Sequence, residues 1–243
     1  MLVALVGVGV IVLFVAPLGL AGGGPQGAGT GDGSEAGERP MLKPTAAPEP
    51  TKAPPPDVRG LAYPIAGGCL PENDALMPGA ARAYRHGVHE GVDFYDSDNC
   101  VFIGRGTEVL AVGAGTVTRA DRFYQELTPE ASVQLLARVE RGGSGTESVL
   151  DAFRGRQVWI DHGRGLVTRY CHLGGIVEGL TVGAPVQQGA LIGYVGDSGT
   201  LGSVEHPGVE THLHFEIRTG ESFLGQGQAP EAARALYEWA FTP

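Results

Sequence analysis

The chain predicts a mainly β, antiparallel domain, sheet- or barrel-like, with a groove over the sheet, a helical insertion and a C-terminal helix. Three observations carry that expectation. Short apolar runs recur at close intervals with glycine between them, the pattern of many short strands joined by tight turns. Forty glycines and 17 prolines among 243 residues are too many for an all-helical chain. Hydrophobic residues make up 42% of the sequence, which leaves ample material for a core.

Taken in order, the chain opens on residues 1–21, which carry no charged side chain. A helix of that length spans a bilayer's hydrocarbon core at about 1.5 Å per residue. The segment predicts membrane targeting, either as a cleaved signal peptide ending at the small-x-small triplet Gly19-Leu20-Ala21 or as a retained anchor. Residues 22–57 are rich in Gly, Pro and Ala and lack apolar periodicity. Such a stretch cannot bury enough surface to offset its ordering entropy, so a disordered linker is expected.

The folded domain is expected over 58–225. Strand-type runs lie at 108–112, 116–118, 157–160, 166–170, 191–195 and 213–217. Between the second and third runs, 128–139 has helical character, with Thr128 placed to cap, Pro129 at the first position and Glu130 in the first turn. A second helical piece is expected over 147–153. Residues 226–243 end the chain with a helix over 230–240, expected to pack on the outside of the domain through Leu236 and Trp239.

The net charge of −10 and pI near 5.1 argue against a nucleic-acid partner, which would require a basic face. The informative residues are histidines. In Glu210-Thr211-His212-Leu213-His214-Phe215-Glu216 the alternation of a strand puts His212 and His214 on one face. In His89-Glu90-Gly91-Val92-Asp93 an imidazole and a carboxylate stand at an even spacing that can aim both inward. Imidazole nitrogens and carboxylate oxygens are common Zn²⁺ ligands, and a catalytic zinc takes three of them.

The ordered series His89-x-Gly91-x-Asp93, Asp161-His162-Gly163, Tyr170-Cys171-His172-Leu173 and His212-Leu213-His214-Phe215-Glu216 closely resembles the M23 family of zinc metallopeptidases, the lysostaphin and LytM-like cell-wall endopeptidases. The resemblance covers roughly residues 60–220 and includes the glycine-punctuated run 182–196 that precedes the His-x-His strand in such enzymes. It implies the LytM, or duplicated-hybrid-motif, type of fold. It also implies one Zn²⁺ per chain held by His89, Asp93 and His214, with His172 and His212 as the catalytic pair. The implied substrates are peptide bonds of peptidoglycan stem peptides or cross-bridges, and the implied location is extracytoplasmic, secreted or anchored at the envelope through residues 1–21.

Two stretches depart from the compact family pattern. The helical segment at about 126–155 is expected to be an insertion forming a wall of the groove. The link from Gly199 to His212 is longer than usual and is expected to border the site. His86 and His206 are expected at the rim or surface, and His162 is expected to support the fold. Tyr170, two residues before His172, is either a packed aromatic or an additional donor on the face of His172.

Three cysteines fit an exported protein with one bridge and one remaining thiol. Cys69 and Cys100 flank the segment carrying His89 and Asp93, and a bridge between them would stabilise the fold by a few kcal/mol. Cys171 is expected to be a small buried residue. Two other readings stand beside the peptidase: a non-catalytic module that binds wall peptides or activates an amidase, and a lipoyl-type carrier domain. The first generally loses ligands, whereas all five key positions are kept here. The second needs an attachment lysine, and residues 60–243 contain none.

Overall fold

The computed structural model describes residues 58–243 apart from Ser97 and Ser144, so the targeting segment 1–21 and the linker 22–57 lie outside the described residues. Among the described residues no helix is long and apolar enough to cross a membrane.

The strands are β1 (Ala81–Arg82), β2 (Gly87–Val88), β3 (Val92–Phe94), β4 (Glu108–Leu110), β5 (Gly115–Ala120), β6 (Val158–Gly163), β7 (Leu166–Cys171), β8 (Leu173–Ile176), β9 (Pro185–Val186), β10 (Leu191–Val195), β11 (Leu213–Thr219) and β12 (Ser222–Phe223). All their pairings are antiparallel, as expected. The main sheet runs β12-β11-β7-β6-β5-β9, with β3 also paired to β11; a second sheet is β4-β10-β8, and β1 and β2 form a small hairpin.

Period-2 alternation explains the core. On β11, Leu213, Phe215 and Ile217 are fully buried in the main cluster with Val92, Phe94, Ile160 and Ile192. Each such side chain contributes about 1.5–3 kcal/mol on burial. The intervening His214 and Glu216 take the other face of the same strand.

Among the described residues the α-helices are α1 (Pro129–Arg138), α2 (Glu147–Arg154), α3 (Leu201–Glu205) and α4 (Pro230–Ala240). Thr128 caps α1 as its chemistry predicts, its side chain accepting from the Ala131 N–H at 3.2 Å. The insertion has a small core of its own, in which Leu135, Val139, Val149 and Phe153 pack with Leu201. Leu201 belongs to α3, which lies in the long link before His212. The link expected to be a loop thus contains a helical turn capped by Thr200. The two departures from the compact pattern pack on each other and make one wall.

The C-terminal helix packs one face on the domain, with Leu236 against the main core. Tyr237 and Ala240 belong to the main core, Phe241 stacks on Tyr63 at 4.3 Å, and the Leu61 N–H donates to the Ala240 carbonyl. Trp239 is 39% exposed, lying under the Arg59 guanidinium at 4.8 Å rather than packing inward. Cys69 and Cys100 are disulfide-bonded, and Cys171 is a free buried thiol, as expected.

Candidate metal centre

Strand pairing builds the site. The register of β3 on β11 sets Asp93 directly opposite His214, and a slip of β3 by one residue would turn Asp93 toward the core while β11 stays registered on β7. That pairing depends on Gly91, because a Cβ there would stand 2.3 Å from the Phe215 carbonyl oxygen. His89 lies before the strand rather than on it. The even spacing therefore works through a break at Glu90-Gly91 that turns His89 back over Asp93.

The three donor atoms form a tight triangle. His89 Nε2 is 2.9 Å from Asp93 Oδ1, His214 Nδ1 is 2.8 Å from the same oxygen, and the two nitrogens are 2.9 Å apart. All three residues are buried. The other nitrogen of each ring is already engaged: His89 Nδ1–H donates to the Met77 carbonyl at 3.1 Å, and His214 Nε2–H donates to Glu216 Oε1 at 3.2 Å. With the tautomers so set, three lone pairs converge with no donor among them, an arrangement that suits a cation. Ligands of a tetrahedral zinc at about 2.0–2.1 Å stand about 3.3 Å apart, so a spread of about half an ångström fits the ion. Imidazole, imidazole and carboxylate are a zinc donor set, and these residues fit zinc.

The surroundings shift the two imidazoles in opposite directions. Burial pushes the His89 imidazole down to about 4 even though Asp93 pulls it up. For His214, burial lowers the pKa, but hydrogen bonds and charge from Asp93 and Glu216 outweigh it and raise the group. The other oxygen of Asp93, Oδ2, accepts from Arg82 Nη2 at 2.9 Å.

His172 and His212 stand beside the triangle, their ring centroids 4.5 Å apart, with His172 at 5.7 Å from His214. Each is held by its Nδ1–H: His172 donates to the Ser198 carbonyl at 2.8 Å and His212 to the Glu210 carbonyl at 2.6 Å. Their Nε2 atoms are left as acceptors, and His212 Nε2 is 3.7 Å from Asp93 Oδ1. Tyr95 stacks on the His212 ring at 4.3 Å. Burial lowers both imidazoles, His172 the more strongly with its two histidine neighbours adding to the effect.

The alternation argument fails at one place. β7 ends at Cys171, and His172 takes a left-handed φ of 57°, so Tyr170 and His172 do not share a face. Tyr170 is fully buried, its hydroxyl accepting from the Val112 N–H at 2.9 Å; it is the packed aromatic, not a donor in the pocket. His162 bridges the Ala114 carbonyl and Thr168 Oγ1, both at 2.8 Å, in its expected supporting role. His86 and His206 are exposed and do not line the pocket.

Four residues that matter were not singled out from sequence: Glu216, Arg154, Tyr95 and Arg82. Glu216 had a signal, since it follows His214 by two on the same strand. Arg154 had none. It projects from the end of α2, is 5% exposed, and donates from Nε to Glu216 Oε1 at 2.6 Å and from Nη2 to Glu90 Oε2 at 2.6 Å. Burial would raise Glu216, but Arg154, His214 and Arg218 hold it far below the usual carboxylate range. The Arg154 carbonyl also accepts from the His172 N–H at 2.9 Å. The next residue, Gly155, has φ 65°, and a Cβ there would stand 2.1 Å from the Ser198 carbonyl oxygen that orients His172. The end of the insertion therefore touches both halves of the site.

The metal triangle and the histidine pair all line one pocket of about 540 Å³, whose walls include Leu150, Phe153 and Arg154 from the insertion and Thr200 and Leu201 from the link. The chain belongs to peptidase family M23, whose sequence model matches residues 87–228. No curated protein sequence matches the chain. Similar solved structures include a zinc-containing peptidase from Vibrio cholerae, 19% identical over 68% of this chain and 38% of that one, with a TM-score of 0.43. The SpoIIQ–SpoIIIAH pore-forming complex matches at 19% identity over 68% of this chain and 87% of that one, TM-score 0.42. The catalytic domain of the antimicrobial peptidase lysostaphin from Staphylococcus simulans matches at 19% identity over 65% and 88%, TM-score 0.37.

Proposed function

We propose that this protein is a zinc-dependent endopeptidase that cuts peptide bonds in peptidoglycan stem peptides or cross-bridges. The observation that carries the reading is the convergence of the His89, Asp93 and His214 lone pairs beside two further imidazoles whose Nε2 atoms are acceptors. His89, Asp93 and His214 would hold one zinc ion, which supplies a Lewis acid and a source of hydroxide at neutral pH.

The chain's own residues do the rest. Met77 O and Glu216 fix the tautomers of His89 and His214, and Arg82 holds Asp93 so that one oxygen faces the cluster. With Nδ1–H tied to backbone carbonyls, His172 and His212 each offer Nε2 to a proton from the attacking water. The protonated ring then becomes an N–H donor, able to pass the proton to the leaving amine or to stabilise oxyanion charge. Stacking on Tyr95 keeps His212 from turning away.

The disulfide supports an oxidising compartment, and with residues 1–21 it supports placement outside the cytoplasm, free or membrane-attached. His89, Asp93, His172, His212 and His214 all line one pocket, which favours an enzyme over a module that only binds wall peptides.

The test joins metal and turnover. The purified chain should carry about one zinc and release new amino groups from purified peptidoglycan. Chelation should abolish release and zinc should restore it, while His214→Ala should have neither metal nor release. Zinc without release from any wall preparation would favour the binding module, and no metal at all would overturn the reading.

A further inference from the structure

The pocket holds one cation that the site described so far does not use. Arg85 lies between β1 and β2 and lines the pocket with the metal triangle. It is 7% exposed. One of its guanidinium donors, Nη2, is bonded to the Val88 carbonyl. Among the described residues, Nε and Nη1 have no acceptor, neither is sealed from solvent, and the group forms no ion pair. The two other pocket arginines differ in this respect: Arg82 is paired with Asp93, and Arg154 with Glu216 and Glu90.

An arginine stays ionised at any physiological pH. Two donor nitrogens therefore stay open to an anion that enters the pocket, and the guanidinium fork matches a carboxylate. The hairpin is shaped to hold it there. Gly87 leaves the space the guanidinium occupies, since a Cβ at that position would stand 3.1 Å from Nη1. The same pocket is lined by His89, Asp93 and His214, so a peptide held at the triangle also passes Arg85.

We infer that Arg85 is a specificity-determining residue that binds a carboxylate of the substrate in the pocket it shares with His89, Asp93 and His214. The substrate class is thus narrowed to peptides with an acidic side chain or a free C-terminal carboxylate near the cut. The inference rests on the peptidase reading above.

The test uses one synthetic acidic stem-type peptide prepared with free carboxylates, with its side-chain carboxylates amidated, with its C-terminus amidated, and with both amidated. Binding is read from the Arg85 Nε–H resonance in the ¹⁵N-arginine-labelled, zinc-loaded full chain carrying His212→Ala. The free acid should move that resonance and the fully amidated peptide should not. The singly amidated forms tell which carboxylate is held. An equal response to acid and full amide would overturn the inference.

Turnover supplies the second readout. The ratio of kcat/KM for acid over amide should fall about 10- to 100-fold in Arg85→Met and Arg85→Gln, and less in Arg85→Lys, which keeps a point charge. An unchanged ratio in the folded variants would also overturn it. An acid-specific resonance shift without cleavage of any wall peptide would leave Arg85 as a carboxylate site and remove the peptidase reading. Cleavage indifferent to amidation would do the reverse.

Discussion

The two walls of the pocket are made by different rules. The strand wall, β3–β11–β7, places His214 and Asp93 by ladder register, and the face behind them is sealed by Leu213, Phe215 and Ile217. The helical wall of α1, α2 and α3 rests on a separate small cluster around Leu135, Val149 and Phe153. It is tied back to the strands by charge: Arg154 to Glu216 and Glu90, and Asp151 to Arg119 of β5. The difference teaches that the strand wall sets where Asp93 and His214 stand, whereas the helical wall sets how firmly His214 and His172 are aimed.

The largest effect should come from breaking the strand wall. Gly91→Ala forces a Cβ against the Phe215 carbonyl, so β3 and β11 must part. Stability in urea unfolding should fall by about 3 kcal/mol or more, and zinc should be lost with it. Retained zinc in a folded Gly91→Ala protein would mean that register is not what places Asp93.

Next comes the bond between the walls. Arg154→Met leaves the Glu216 carboxylate without its main buried partner, although Arg218 and Arg169 stay near. Loss of one partner of a buried pair should cost about 3 kcal/mol. Because Glu216 orients His214, zinc affinity in a chelator competition should fall about 10- to 100-fold. Lost stability with unchanged affinity would reduce the helical wall to a structural appendage. Phe153→Ala attacks the same wall without touching its charge pairs. Its removal from the smaller cluster should cost about 3 kcal/mol, read as faster hydrogen exchange over α1 and α2 than over β11.

Acid should separate the walls as well. Burial raises the Asp151 carboxyl, but hydrogen bonds from Arg119 and Gln157 and the charges of Arg119 and Arg154 outweigh it and hold the pKa below the ordinary value. A depressed folded pKa means that the unfolded chain binds the proton more readily. The stabilisation is therefore complete above the unfolded value of about 4 and is lost as pH falls through the lower folded value. Exchange in α2 should rise over that range, and Asp151→Asn should be less stable than wild type at neutral pH and converge with it in acid. The smallest effect is at the rim. His86 and Glu140 pair at 3.2 Å with both side chains well exposed, so Glu140→Ala should change stability by no more than about 0.5 kcal/mol.

Much of the strand wall was legible. Alternation marked β11 and put His212 and His214 on one side, Thr128 and Pro129 marked the start of α1, and the flanking cysteines marked the bridge. Alternation also misled, because it presumes an unbroken strand. At His172 the backbone turns left-handed and the imidazole leaves the face shared with Tyr170. The helical turn of α3 was missed because five residues are too few to show a period.

The sequence by itself determined the local things: which segments alternate, where helices begin, and which residue types can bind a metal. Those depend on near neighbours along the chain, and near neighbours are what a sequence displays. Only the tertiary structure decided that Arg154 from the insertion meets Glu216, 62 residues away, and through it His214. It likewise decided that Arg85 is buried at the pocket with no ion-pair partner among the described residues. Burial and long-range charge pairing depend on how the walls pack against each other, and no local pattern encodes that packing.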